Sequence, residues 1–294
     1  MGNYKAGDTI TSQDSIVDIL THLLTKVIDV VVVPPTASLL GSGDKSVLYG
    51  TSIQPTLTIT LKDGTFESED KVNYNYSQKL GTVLEGASIK KSGNTISTTN
   101  TISGNTIGCI EETGYKLVSP VTYTATADVS ASKNPAYKNN KETSEKSYSG
   151  NDNLTVSGSV TYTPYYHAFI GELDIKGKSD AEIRDMLTAT SLKGLSYKHQ
   201  LPFAATSKSL VDIFSTEGNA IVIACPTKYD LNQVLTQGDR VPYEELFKLV
   251  TNGTNEHTVS VDFNGESVSY RVYLYKLYGS NPYTFEEISF KPHK

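Results

Sequence analysis

Tryptophan is absent from this chain of 294 residues, and methionine and cysteine occur only twice each. Two cysteines, Cys109 and Cys225, are too few for a disulfide framework and carry no zinc-ligand spacing, so two separate buried thiols are expected. Arginine is confined to Arg184, Arg240 and Arg271, and the formal net charge is −6. A phosphate backbone calls for a basic face, so nucleic acid is not an expected partner. Long apolar runs are missing as well. The most apolar stretch, Ile16 to Val33, is interrupted by Asp18, His22, Lys26 and Asp29. A spanning helix needs ~20 mostly apolar residues, so membrane insertion is not expected. The polar opening Met1–Asp8 does not read as a secretory signal, which implies synthesis in the cytoplasm.

What fills the space is hydroxyl and phenol: 31 Ser, 34 Thr and 19 Tyr, with 22 Gly. Such a composition favours strands and polar turns over helices and makes an all-helical protein a poor fit. Ile16, Ile19, Leu20, Leu23, Leu24, Val27 and Ile28 recur at steps of three and four, the period of one helix face, after possible caps at Thr11, Ser12 and Asp14. This face is the candidate interaction site. It can dock on the protein's own body or on another helix. Pro34-Pro35 ends the segment, and residues 34–45 read as a linker of turn residues.

From Ser46 the period becomes two. Leu57, Ile59 and Leu61 alternate with threonines; so do Val121, Tyr123, Ala125, Ala127 and Val129 with Thr and Asp; Val72, Tyr74 and Tyr76 alternate with Asn. One apolar and one wet face is the pattern of antiparallel sheets. The texture shifts at Tyr165. Ser179-Asp180-Ala181-Glu182 is a capping box ahead of a short helix, Asn219–Pro226 is a buried strand, and Asn264-Gly265 sits between alternating runs as a hairpin turn. Thr284–Lys291 reads as a closing strand. The expected fold is mainly β: an N-terminal lead and amphipathic helix (1–33), the linker (34–45), an immunoglobulin-like β-sandwich (46–164) and a mixed, strand-dominated C-terminal domain (165–294).

Catalytic patterns do not emerge. The histidines His22, His167, His199, His257 and His293 have no metal-ligand spacing, and there is no nucleophile elbow, P-loop or dinucleotide turn. Asp63, Glu67, Glu69 and Asp70 read as a solvated acidic loop and lack calcium-loop spacing. No cofactor, metal or enzymatic activity is expected. The tyrosines Tyr162, Tyr165, Tyr166, Tyr270, Tyr273, Tyr275, Tyr278 and Tyr283 fit either core packing or an interface or ligand-facing strip.

Three stretches carry a family resemblance: KAGDTITSQDSIVDILTHLLTKV (Lys5–Val27), YGTSIQPTLTITL (Tyr49–Leu61), and the succession Tyr165–Leu173, Asn219–Pro226, Tyr270–Lys276 and Thr284–Phe290. The chain resembles tail- and fibre-type virion structural proteins of tailed bacteriophages, including those of gut Bacteroidales. Tyr49 stands where Glu is more usual in the opening strand of their immunoglobulin-like modules. The resemblance implies a virion protein, made in the host cytoplasm, that assembles with itself and with other virion proteins. Trimers are favoured, and contact with a host surface receptor is left open. A bacterial surface adhesin or glycan-binding module is the alternative, and a virion polysaccharide depolymerase with paired carboxylates is a third reading.

Overall fold

The computed structural model describes residues 15–17, 30–68, 77–131, 137–139, 142–144, 153–216, 220–236, 238–276 and 283–294. The chain is mainly β and divides into two compact units. The N-terminal helix lies outside the described residues except for Ile16 and Val17, which are helical. The strand expected around Val72, Tyr74 and Tyr76 also lies outside them.

The first unit takes residues up to Ser42, Thr56–Glu112 and Tyr123–Val160. Its strands are β1 (Val30–Val33), β2 (Thr36–Gly41), β3 (Thr56–Lys62), β4 (Thr65–Ser68), β5 (Ser77–Lys79), β6 (Thr82–Lys91), β7 (Asn94–Ile96), β8 (Thr98–Ser103), β9 (Thr106–Glu111), β10 (Val121–Ala131) and β11 (Asn153–Ser157). A sheet runs β8-β9-β3-β2-β11-β10, and β6 and β7 continue it from β10. β1, β4 and β5 form a small antiparallel sheet of their own. Period-two alternation sends Leu57, Ile59, Leu61, Ile107, Tyr123, Ala125 and Ala127 inward, where all are buried. The sheet curls so that β9 reaches β6: Lys91 Nζ lies 2.7 Å from the Glu111 carboxylate, which also accepts from the buried Tyr123 hydroxyl at 2.7 Å. β2 and β11 pair in parallel, Val156 opposite Ala37.

Two sequence expectations need correction here. Residues 34–45 are not a free linker: β2 lies inside them, with Ala37 and Leu39 buried. Its alternation spans only two inward residues, too short to outweigh the flanking Pro34-Pro35 and Gly41-Ser42-Gly43. The boundaries at 46 and 164 also move, because residues 43–55 and 113–122 belong to the second unit. Ser46–Leu48 pairs in parallel with Thr163–Tyr165, and Gly50 N–H donates to Leu117 O at 3.0 Å. Those pairings join segments far apart in sequence, and no local pattern announces them.

The second unit holds β12 (Val160–Leu173), α1 (Asp180–Met186), α2 (Ala189–Lys193), β13 (Tyr197–Pro202), β14 (Lys208–Thr216), β15 (Ala220–Pro226), β16 (Tyr229–Thr236), β17 (Asp239–Pro242), α3 (Tyr243–Leu246), β18 (Thr258–Phe263), β19 (Glu266–Lys276) and β20 (Tyr283–Pro292). A central sheet pairs β13-β12-β15-β19-β18. One face packs Ile221, Ile223 and Tyr273 against a second sheet, β14-β20-β16-β17, through Leu231, Phe285, Ile288 and Phe290. The other face packs Phe169, Val222 and Val272 against Ile183, Leu187 and Leu192 of the helical layer. Covered on both faces, β15 is buried at every residue, which is why it reads as a continuous apolar run. Full burial of one such Ile or Val is worth ~1.5–3 kcal/mol, so this strand anchors the unit.

The local signals for turns and caps hold. Ser179 caps α1, its side chain accepting from Glu182 N–H while the Glu182 carboxylate accepts from Ser179 N–H. Asn264 and Gly265 both take positive φ, 57° and 86°, as a type I′ turn requires. The expected shift in texture at Tyr165 falls inside β12, which continues to Leu173.

Candidate functional site

Of the seven apolar residues assigned to the N-terminal face, only Ile16 falls among the described residues. It is 75% exposed, and its neighbour Val17 is 71% exposed. Ile19, Leu20, Leu23, Leu24, Val27 and Ile28 lie outside them. Further apolar surface is open on the first unit, where Leu40 on β2 and Ile110 on β9 point away from the core. The registers Leu40–Thr58 and Ile110–Thr56 set them diagonally across β3, among Thr58, Thr60, Thr99 and Thr101.

The polar clusters of the second unit are tightly partnered. Arg271, nearly fully buried on β19, is bound by the Asp230 carboxylate, and Glu256 lies 3.5 Å from its other terminal nitrogen. His293 Nδ1 is 3.0 Å from Asp230 and 2.9 Å from Arg271. This network clamps β16, β19 and the end of β20 together. Arg240 holds Glu287 in a two-pronged pair at 2.9 Å, and this lowers the Glu287 carboxyl pKa below its ordinary range. Lys228 is wedged between the rings of Tyr166 and Phe203, 4.2 Å from each centroid, and donates to Phe203 O; burial lowers its pKa. The thiols are free and buried. Burial pushes Cys109 up to about 11 and also raises Cys225.

Four of the eight tyrosines resolve as core. Tyr162, Tyr166, Tyr270 and Tyr273 are buried, and Tyr270 donates to His167 O at 2.9 Å. Tyr165 is half-buried and stacks on His167, centroids 5.7 Å apart. Among the acidic-loop residues, Asp63 and Glu67 are described, and Glu67 accepts from Thr65 at 2.9 Å. Among the described residues no group of three His, Cys, Asp or Glu forms a metal-ligand set.

Among the described residues, two of the concavities on the second unit stand out. The larger, about 590 Å³, has a floor of Ile183, Leu246, Leu249 and Leu274, with Asp180, Glu245 and Lys248 around it. The smaller, about 400 Å³, is lined by His167, Phe169, Phe263 and Leu48 together with Lys193, Lys198, Asp262 and Asn264. Neither was legible in the sequence, because their linings come from segments far apart in the chain.

Comparison of the chain with protein families, curated proteins and solved structures gives no match.

Proposed function

We propose that this chain is a non-enzymatic structural component of a bacteriophage virion, acting by assembly with copies of itself and with other virion proteins. In this reading the first unit is an immunoglobulin-like module. The parallel pairing of β2 with β11, the first and last strands of its long sheet, supports that assignment. The N-terminal apolar face from Ile16 to Ile28 supplies the joining surface, with a trimer as the favoured state. The observation that supports the proposal is Ile16, the residue of that face that lies among the described residues: it is 75% exposed, at the start of a stripe that the three- and four-residue spacing continues to Ile28. Isolated short helices are marginal in water, so such a face gains its order from what it docks on.

Mass spectrometry of particles purified after induction of the encoding genome tests the role. The chain should copurify with the particles at a stoichiometry of several copies each. Recovery from the cell envelope alone would replace this reading with the surface-adhesin one.

A further inference from the structure

We infer that the cavity of about 400 Å³ on the second unit is a binding site for an acidic sugar, a pyranose ring bearing one carboxylate. The inference stands on this unit alone and does not depend on the assembly role. The volume falls within the range of small-ligand sites, ~300–1,000 Å³.

The back of the cavity is aromatic. Phe169 and Phe263 lie nearly parallel, 6° between planes and 6.4 Å between centroids. The His167 ring stands 5.8 Å from Phe169 and 6.5 Å from Phe263. Phe169 and Phe263 are nearly fully buried, so they hold the wall in place, and the half-buried His167 ring with Leu48 beside it is what meets the C–H face of a sugar. Burial, with Lys198 nearby, lowers the pKa of His167, so at neutral pH its imidazole is an uncharged hydrogen-bonding group.

The rim is cationic. Lys193 and Lys198 both line the rim, and neither forms an ion pair among the described residues. In a chain of net charge −6, two ammonium groups without carboxylate partners at one aromatic-backed cavity form a local anion site. Lys193 is held in place: its Nζ donates to Asp262 O at 2.5 Å and sits 5.7 Å from the Phe263 ring centroid, leaving two of its three donors for a ligand.

The turn side of the rim supplies neutral recognition. Asp262 uses Oδ1 to accept from Gly265 N–H at 3.0 Å, and its second oxygen is available to a hydroxyl. The Asn264 amide adds a donor and an acceptor. A neutral sugar would leave both lysines unused, an aromatic acid would leave Asp262 and Asn264 unused, and a dianion would face the Asp262 carboxylate. One carboxylate on a hydroxylated ring uses every group.

Titration of the labelled full chain with glucuronate, followed by backbone amide shifts in NMR, tests this. Saturable shifts at His167, Lys193, Lys198 and Asn264 are expected, with Kd on the order of 1 mM for a single sugar. Glucose should bind at least about tenfold more weakly, and benzoate likewise, each lacking half of the recognised chemistry. Lys198→Glu, at an exposed position that leaves the core untouched, should abolish saturation, and Lys193→Ala should weaken binding about five- to tenfold. A uronate oligosaccharide then separates a chain-borne sugar from a free one: tighter binding than the monosaccharide points to a polymer, and equal binding to a small ligand. Equal affinity for glucose and glucuronate, shifts elsewhere, or wild-type binding by Lys198→Glu would each overturn the inference.

Discussion

Gly265→Val tests the tip of the β18–β19 hairpin. Gly265 sits at φ +86°, and Asn264 before it at +57°. A side chain with a Cβ in the left-handed region costs ~1–2 kcal/mol, and a β-branched one belongs at the upper end. A Cβ on Gly265 would also lie 2.9 Å from Lys116 Nζ, the free end of a long side chain that can swing away. That motion gives up the Lys116–Glu266 contact at 3.6 Å, a half-exposed pair worth ~0–1 kcal/mol. The expected loss is therefore ~2 kcal/mol, dominated by backbone strain. Gly50→Ala provides the scale. Gly50 has φ +78°, and its Cβ would stand 2.3 Å from Phe263 O, a backbone atom that cannot step aside. That variant should lose more than Gly265→Val, and Asn264→Lys, which keeps the essential glycine, should lose less than ~1 kcal/mol. Urea unfolding followed by tyrosine fluorescence measures all three. Equal midpoints for wild type and Gly265→Val, or Gly50→Ala milder than Gly265→Val, would refute the reasoning.

Removing Arg271 leaves the Asp230 carboxylate beside Glu256 without its cation, so Arg271→Met should cost ~3–5 kcal/mol in the same assay, and a loss under ~1 kcal/mol would refute the clamp. Tyr123→Phe removes a hydroxyl that donates to the buried Glu111 carboxylate and should cost ~1–2 kcal/mol in the same assay, and an unchanged midpoint would contradict that role. Cys109, its thiol pushed up to about 11, and Cys225 should both resist a thiol reagent at pH 8 in the native chain and react once urea unfolds it; fast native labelling would contradict their burial. His167 should titrate below 6.5 in a proton NMR experiment. Because the unfolded chain takes up that proton first, the stability this group supplies is full above 6.5 and is lost as pH falls through the window beneath it. Stability rising on acidification through that window would contradict the assignment.

Strand periodicity was the legible part of this fold. Leu57, Ile59 and Leu61 on β3, and Val121 to Val129 on β10, are buried as their alternation implies. So was local backbone chemistry, in the Ser179 capping box and the Asn264-Gly265 turn. What stayed hidden depends on distant pairing. β2 was masked by its prolines and glycines, and residues 43–55 and 113–122 join the second unit through bonds such as Tyr49 N–H to Tyr165 O at 2.9 Å. The Lys193–Lys198 cavity is hidden for the same reason. Its rings, cations and turn residues come from β12, α2, β13 and the β18–β19 hairpin, which meet only in the folded unit. The tyrosine-rich stretches were ambiguous because a phenol suits core and interface alike, and burial resolved Tyr162, Tyr270 and Tyr273 as core.

Assembly through the N-terminal apolar face is the central claim, and light scattering on the intact chain at tens of micromolar tests it most directly. Point substitution is the right perturbation, since truncation at Ser46 would remove β2 and its buried Ala37 and Leu39. The intact chain should scatter as an oligomer, with a trimer expected, and the triple variant Ile16→Asp, Leu20→Asp, Leu23→Asp should scatter as a folded monomer. A monomeric intact chain, with the variant indistinguishable from it, would contradict the account.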